Sequence, residues 1–211
     1  NDALDALVHL PTIMTDRQES DWLAFLVDTE RAYADEMRSL LKDELKVRAN
    51  ITLTQVDYGG TAGMNREQKM DFADSHAYWQ HPRFPNKPWD PADWLIDQKA
   101  MSDYPEQSTL IELAAQRLAG KPYTVTEYNH PAPLDTQAQC VPMIASFAAA
   151  QDWDGVWLYT YRHNNTDWNR DYLNSFFDID TNPAKWGFVP AGAAIFRWIG
   201  IGPFLSESNF L

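Results

Sequence analysis

The sequence predicts an α/β fold in which one long helix precedes four parallel strands, each followed by a helix. Segments with helical periodicity alternate with short β-branched or aromatic segments, and Gly or Pro ends most of them. Polar and aromatic clusters follow the strands at their carboxyl ends. This alternation favours parallel strands joined by right-handed crossovers, in a single domain over residues 1–211.

The first half of the chain begins with an N-terminal segment over residues 1–19. From Ser20 to Leu45, apolar residues at steps of three and four predict a long amphipathic helix capped by Ser20. ITLTQVDYGG, residues 51–60, is predicted as the first strand because β-branched residues precede a diglycine. A short helix over residues 65–70 then leads into the second strand, DFADSHAYW.

The second half continues the alternation, with two long loops. Its predicted elements are, in order, a Pro- and Trp-rich loop over 79–106, a helix that starts at the capping-box pair Thr109 and Glu112, a strand over 123–126, a helix over 138–151, a strand over 155–161, a loop over 162–185 and a last helix over 186–199.

Charge and composition exclude several classes of partner. The formal net charge of −13 would repel phosphate backbones and anionic lipid surfaces, so we predict neither nucleic acid nor membrane as a partner. No apolar run approaches the roughly 20 residues that span a bilayer. Cys140 is the only cysteine, which excludes an internal disulfide and a thiolate metal cluster, and it is predicted as a small buried residue.

The candidate functional residues lie at the carboxyl ends of the predicted strands. In parallel α/β folds this edge of the sheet carries function, whereas the amino edge carries stability. The candidate residues are Gln55 and Tyr58 after the first strand, His76, Tyr78, Trp79 and His81 after the second, Glu127, Asn129 and His130 after the third, and Tyr161, His163 and Trp168 after the fourth.

Glu127 is the main catalytic candidate, because it follows a buried strand and precedes a short Asn-His-Pro loop. A carboxylate there can act as a nucleophile on a sugar carbon, as in retaining glycosidases, and Tyr78 on the neighbouring strand can donate a hydrogen bond to it. The alternative is an ion-paired or loop-capping glutamate. Asp178 and Asp180 have two open interpretations, as part of a sugar subsite or as caps of the last helix.

No metal or cofactor is predicted. His76, His81 and His130 share the carboxyl edge, but they lack the helical i, i+4 spacing of a zinc protease and have no CxxC partner. The sequence contains no G-x-S-x-G, no G-x-G-x-x-G and no phosphate-binding loop, so serine-hydrolase and nucleotide chemistry have no support.

Several of these motifs resemble one family. DSHAYWQHPRFP, PYTVTEYNHPAP, AAQDWDGVWLYTY and FFDIDTNPAK are similar to the last four βα units of clan-A retaining glycoside hydrolases, which are (β/α)8 barrels, and in particular to large bacterial cellulase-like hydrolases. The resemblance implies Glu127 as nucleophile on strand seven and His76 with Tyr78 as the strand-six residues that orient it. It also implies Gln55 and Tyr58 as cleft residues of strand five, and Trp157 or Tyr161 as the strand-eight aromatic under the sugar.

The resemblance further implies half a TIM barrel, equivalent to strands five to eight. The family's acid/base is a Glu after an Asn at the end of strand four, and the chain starts with Asn1 just past that position. We therefore expect a homodimer, or another homo-oligomer, that closes the barrel. The expected function is weak glycosidase activity on a poly- or oligosaccharide. The alternatives are a non-catalytic carbohydrate-binding or assembly fragment, a promiscuous hydrolase of activated esters, and a truncated product without a native role. By analogy, full-length relatives work in the extracellular space or the periplasm.

Overall fold

The chain forms a parallel β-sheet with helices packed against it. The structure is a computed structural model that describes residues 15–56, 61–90, 92–163, 166–173 and 175–197. Its helices are α1 (Asp16–Ser39), α2 (Thr61–Glu67), α3 (Thr109–Ala115), α4 (Cys140–Ala150), α5 (Pro183–Trp186) and α6 (Val189–Arg197). Its strands are β1 (Ala73–Tyr78), β2 (Tyr123–Asn129) and β3 (Gly155–Leu158). Short π- or 3₁₀-helical turns lie at Leu40–Glu44, Met101–Asp103, Pro105–Gln107 and Gln137–Gln139.

The described strands lie in the order β1-β2-β3, and both pairings are parallel. This confirms the predicted α/β class and the parallel arrangement of these three strands. Each crossover from one strand to the next contains a helix, α3 after β1 and α4 after β2. Within the described residues, no helix is long and apolar enough to cross a membrane.

The hydrophobic core lies between the sheet and helices α3 and α4. Tyr123 is buried against α3, where its hydroxyl donates to the Leu113 carbonyl at 2.9 Å, and its ring meets Trp153 edge-on. Strand β2 is central, so both of its neighbours shield its backbone from solvent. The other buried apolar residues of this core include Val56, Ala73, Met101, Leu110, Val125, Tyr128, Leu134, Cys140, Ile144 and Ala148.

The predicted first strand does not form over residues 51–56. Val56 donates one backbone hydrogen bond to the Asp74 carbonyl of β1 at 2.7 Å. The buried Arg66 guanidinium binds the carbonyls of Thr54 and Gln55 at 3.0 and 2.7 Å, so a side chain satisfies groups that a strand ladder would have used. The rest of this prediction, residues 57–60, lies outside the described residues.

Two predicted helix caps are also wrong by a few residues. Helix α1 begins after Thr15, which forms a capping box with Gln18, and Ser20 lies inside the helix. Helix α3 is capped by the Ser108 side chain, which accepts from the Leu110 backbone, so Thr109 is the first helical residue rather than the cap. In both cases a neighbouring Ser or Thr with extended backbone angles takes the cap position.

The remaining boundaries differ modestly. The third predicted strand continues as β2 to Asn129, because Trp79 and Tyr159 donate backbone hydrogen bonds to its last carbonyls. The last predicted helix is divided into α5 and α6 near Gly187. The short helix predicted over residues 65–70 is α2, which begins and ends earlier, and Gly63 in it is required because a Cβ would come within 1.9 Å of the Val56 carbonyl oxygen.

Helix α1 presents an apolar face that the described residues leave uncovered. Ala34 is the one buried residue of α1. Leu23, Phe25 and Tyr33 expose 54, 53 and 56% of their surface. At the opposite end of the sheet, β3 is an edge strand, and an apolar groove of about 360 Å³ between β3, α4 and α6 stays open.

Candidate functional site

A β-bulge in β2 positions the predicted catalytic glutamate. Ser75 of β1 pairs with Val125 and His76 pairs with Glu127, so Thr126 is an extra residue on β2 at this point. Both Thr126 and Glu127 therefore face the His76 ring, at 2.9 Å from Thr126 Oγ1 to Nε2 and 3.5 Å from Glu127 Oε2 to Nδ1. Bulges commonly redirect side chains beside active sites. Here the bulge brings a carboxylate onto the polar face of the sheet.

Buried Asp74 determines how the His76 ring is held. Its carboxylate accepts from the hydroxyls of Thr124 and Thr126, each at 2.6 Å, and from the Thr126 backbone at 3.1 Å. Because the Thr126 hydroxyl donates to Asp74, its oxygen accepts from His76, and Nε2 therefore carries a proton. Nδ1 then faces Glu127. The backbone N–H of His76 donates to Gln55 Oε1 at 2.8 Å.

Tyr78 is the direct hydrogen-bond donor to Glu127. Its hydroxyl donates to Oε2 over a very short distance, and the side chain of Glu127 stays about one-third exposed, at 32%. Burial first, and then the hydrogen bond to Glu127, raise the pKa of Tyr78 well above its usual value. The phenol therefore keeps its proton well above neutral pH and donates it in the hydrogen bond to the Glu127 carboxylate. No lysine or arginine of the described residues pairs with Glu127, and it caps no described helix.

These residues open into a cleft of about 420 Å³. Its polar lining comes from Gln55, His76, Tyr78, His81, Thr109, Glu112, Gln116 and Glu127. The structure thus brings together all three predicted catalytic residues with two of the predicted substrate-binding residues, Gln55 and His81. It also adds a second carboxylate, because Glu112 of α3 lines the same cleft.

Three predicted substrate-binding residues are scaffold instead, because they expose almost no surface. Trp79 is 5% exposed and donates its indole N–H to the Lys99 carbonyl. Asn129 is fully buried, and its amide donates to the carbonyls of Tyr159 and Phe177. His130 is also fully buried and contacts the Tyr128 hydroxyl at 2.9 Å.

A buried lysine completes this scaffold. Lys185 of α5 is fully buried and donates to Asn129 Oδ1 at 2.8 Å and to the His130 carbonyl at 2.9 Å. Burial lowers the pKa of Lys185 to about 8, and burial together with Lys185 lowers the pKa of His130 to about 3. Asn129 in turn holds the segments of Tyr159 and Phe177, whose rings contact Tyr78 at centroid distances of 6.2 and 4.7 Å.

The predicted alternatives for Asp178 and Asp180 both fail, because the two carboxylates form ion pairs inside the 162–185 loop. Asp178 is fully buried between Arg170 and His163, whose Nδ1 lies 2.7 Å away. Asp180 binds Arg162, with 2.6 Å to Nε. They therefore tie the loop together rather than line a subsite or cap a helix. His163 also meets the Tyr159 ring edge-on at 5.4 Å.

The other predicted residues lie apart from the cleft. Trp157 is 54% exposed and lines the groove between β3, α4 and α6, so it is not an aromatic floor for this cleft. Tyr161 meets Trp186 at 5.7 Å, and Trp168 lies under Arg162 at 4.7 Å. Tyr58 lies outside the described residues.

Sequence reasoning missed Asp74, Thr126 and Glu112. Asp74, His76 and Tyr78 alternate along β1, so their i, i+2, i+4 spacing was a usable signal for a shared face. The sequence analysis identified Glu112 as part of a helix cap, and no signal pointed to it as a residue of the cleft. Among the described residues, no group of three or more His, Cys, Asp or Glu side chains is placed to hold a metal ion. Comparisons of the chain with protein-family models, curated proteins and solved structures found no match.

Proposed function

We propose that this protein is a glycoside hydrolase-like enzyme that uses Glu127 as a carboxylate nucleophile on a poly- or oligosaccharide. The observation that carries the proposal is the bulge at Thr126 and Glu127, which leaves an ionisable carboxylate at the mouth of a cleft with Tyr78 as its hydrogen-bond donor. In the reaction, a Glu127 oxygen forms a bond to the anomeric carbon as the bond to the leaving oxygen breaks. Water then releases the sugar from Glu127.

The acid/base partner limits the expected rate. A retaining mechanism needs a second carboxyl group about 5–5.5 Å from the nucleophile, to protonate the leaving oxygen and later to deprotonate water. In the described lining of the cleft, Glu112 is the other carboxylate, and it lies on an exposed helical position. We therefore expect a fast first step only for substrates whose leaving group departs without a proton, such as nitrophenyl glycosides, with the attack of water limiting their turnover.

The test compares three glutamate-to-glutamine variants on nitrophenyl glycosides. Glu127→Gln removes the nucleophile and should abolish release of nitrophenol. Glu106→Gln, at an exposed position outside the cleft lining, is the matched control and should behave like the parent. If Glu112 is the acid/base, Glu112→Gln should leave the first step of nitrophenyl substrates fast but slow the attack of water, so a burst of nitrophenol should precede slow turnover.

A covalent label supplies independent proof of the nucleophile. The fluorine of a 2-deoxy-2-fluoro glycoside slows both steps, whereas an activated leaving group speeds up only the first, so the glycosyl ester accumulates. Mass spectrometry should then find the sugar on the peptide that contains Glu127. Full activity of Glu127→Gln would overturn the proposal. Sugar binding without turnover in the parent would favour the alternative, a non-catalytic carbohydrate-binding protein.

We further propose that the chain is half a TIM barrel that a second copy completes. Two features support this arrangement, the edge of the described sheet at β3 and the uncovered apolar face of α1 with Leu23, Phe25 and Tyr33. In such a dimer, α1 of one copy would cover the groove beside β3 of the other, burying Trp157.

Light scattering tests the dimer directly. The parent should have twice the mass of one chain, and Phe25→Asp should shift it to the monomer. Ile111→Asp, which replaces a residue that is similarly exposed, at 51%, on α3, is the matched control and should stay dimeric. A monomeric parent would remove the dimer from the proposal.

A further inference from the structure

We propose that an aromatic groove beside the Glu127 cleft is a second binding subsite, for an uncharged ring of the same substrate. The groove has a volume of about 560 Å³ and is lined by Phe84, Trp89, Trp94, Ala132, Pro133, Leu173, Ser175 and Phe176. Nothing assigns a role to it in the site described above. The inference deepens the proposed function, because it names the class of ligand that the neighbouring site would accept.

The lining determines the ligand chemistry. Its described side chains are aromatic or aliphatic apart from Ser175, so a charged group would lose its hydration without gaining a partner. The volume falls in the range of about 300–1,000 Å³ that is typical of small-molecule sites. Flat aromatic walls suit a ligand with a flat apolar face. A pyranose ring has such a face on its C–H side, and an aryl group shares the same shape.

Contacts between aromatic rings link the lining of the groove to the lining of the Glu127 cleft. Trp89 contacts His81 edge-on at 5.6 Å, and His81 contacts Tyr78 edge-on at 5.6 Å. Tyr78 binds Glu127. On the other side, Phe176 of the groove meets Phe177, whose ring contacts Tyr78 at 4.7 Å. The cleft and the groove thus lie on either side of one cluster of rings, and the ligand that we propose for both is a substrate of several sugar units.

The backbone at Trp89 indicates that this side chain is there for binding. The Asp90 N–H donates to the Lys87 carbonyl at 3.2 Å, which closes a turn with Pro88 and Trp89 at its centre. Trp89 has φ of 61°, at a turn position that glycine or asparagine ordinarily occupies. A bulky residue is strained in this region, and such strain is concentrated at ligand sites. Trp89 nevertheless exposes 65% of its surface, so its ring gains little from burial.

The loop around this turn holds the ring in place. Arg83 and Leu95 form an antiparallel bridge with two backbone hydrogen bonds of 2.9 Å. Asn86 donates to the Asp93 carboxylate at 2.7 Å across the loop. A rigid platform loses little conformational entropy when a ligand stacks on it.

The experiment replaces Trp89 by glycine in a protein that binds but does not turn over. Calorimetric titrations of Glu127→Gln use cellotetraose, xylotetraose, mannotetraose and laminaritetraose. Adding Trp89→Gly should weaken binding of the accepted tetrasaccharide by about tenfold, the size expected for one aromatic contact. Because glycine adopts a positive φ without strain, the melting temperature should be unchanged or higher. Trp89→Phe keeps a ring at this position and should lose less affinity.

The outcomes separate this inference from the proposed function. If Trp89→Gly alone leaves nitrophenyl glycoside hydrolysis intact but weakens the tetrasaccharide, the ring in the groove is a sugar. If it raises KM for the nitrophenyl substrate instead, the ring is the aryl group. The subsite would be overturned if Trp89→Gly leaves the affinity for both ligands unchanged, or if neither the tetrasaccharide nor the aryl group binds. Neither outcome affects the tests of Glu127. A change of solution mass in Trp89→Gly would also overturn the subsite, because the groove would then be a protein interface.

Discussion

Lys185 makes the unfolding free energy depend on pH in an unusual direction. The pKa of this fully buried lysine is lowered from 10.5 to about 8. Between these values the unfolded chain still binds a proton that the folded chain has released, so folding becomes more favourable as the pH rises. The full shift corresponds to about 3 kcal/mol, at about 1.4 kcal/mol per pKa unit.

The part that falls between pH 7 and 9 is about 1 kcal/mol. Two neighbours act on Lys185, the buried thiol of Cys140 and the carboxylate of Asp178. Burial raises the pKa of Cys140 to about 11, so its opposite contribution begins only as the unfolded thiol ionises near pH 9. The rise in stability should therefore be clearest from pH 7 to 8.5.

Urea unfolding at closely spaced pH values measures this rise. The parent should gain stability over that range, and Lys185→Met should not. Lys69→Met is the matched control, because that side chain is 62% exposed, and it should keep the parental slope. Lys185→Met also leaves Asn129 Oδ1 and the His130 carbonyl without their donor, so the slope is compared and not the absolute stability. Equal slopes in the parent and Lys185→Met would refute the reasoning.

Two further predictions concern Tyr78 at the end of β1 and His130 just after β2. Tyr78→Phe removes a hydrogen bond to a charged group, worth about 1.5–3 kcal/mol, so turnover of a nitrophenyl glycoside should fall by about ten- to a hundredfold without loss of fold, as circular dichroism would verify. Turnover equal to the parent would contradict the role of Tyr78. The pKa of His130 is lowered from its ordinary value of 6.5 to about 3 in the folded chain. As the pH falls below 6.5, the unfolded chain therefore binds a proton that the folded chain does not. Stability should drop by about 2 kcal/mol between pH 6.5 and 4.5. His130→Gln should flatten this drop and His81→Gln should not; an unflattened curve in His130→Gln would contradict it.

The residues of the candidate site that lie at strand ends could be predicted from the sequence. Glu127, His76 and Tyr78 were recognisable because parallel strands bring their carboxyl ends to one edge, whatever the details of packing. Which neighbouring residues point into the cleft was not recognisable. Asn129 and His130 follow Glu127 by two and three residues, yet both are buried. The Asn129 side chain and the His130 carbonyl accept hydrogen bonds from Lys185, a residue far away in the chain.

The sequence by itself determined the α/β class, the parallel pairing and the position of the catalytic candidate, because these follow from local periodicity and from chain connectivity. Tertiary structure decided the rest. The bulge at Thr126 arises only when β2 pairs with β1, and the irregular segment 51–56 depends on the buried side chain of Arg66. Burial of a polar group depends on partners that are remote in sequence, and no local pattern records them.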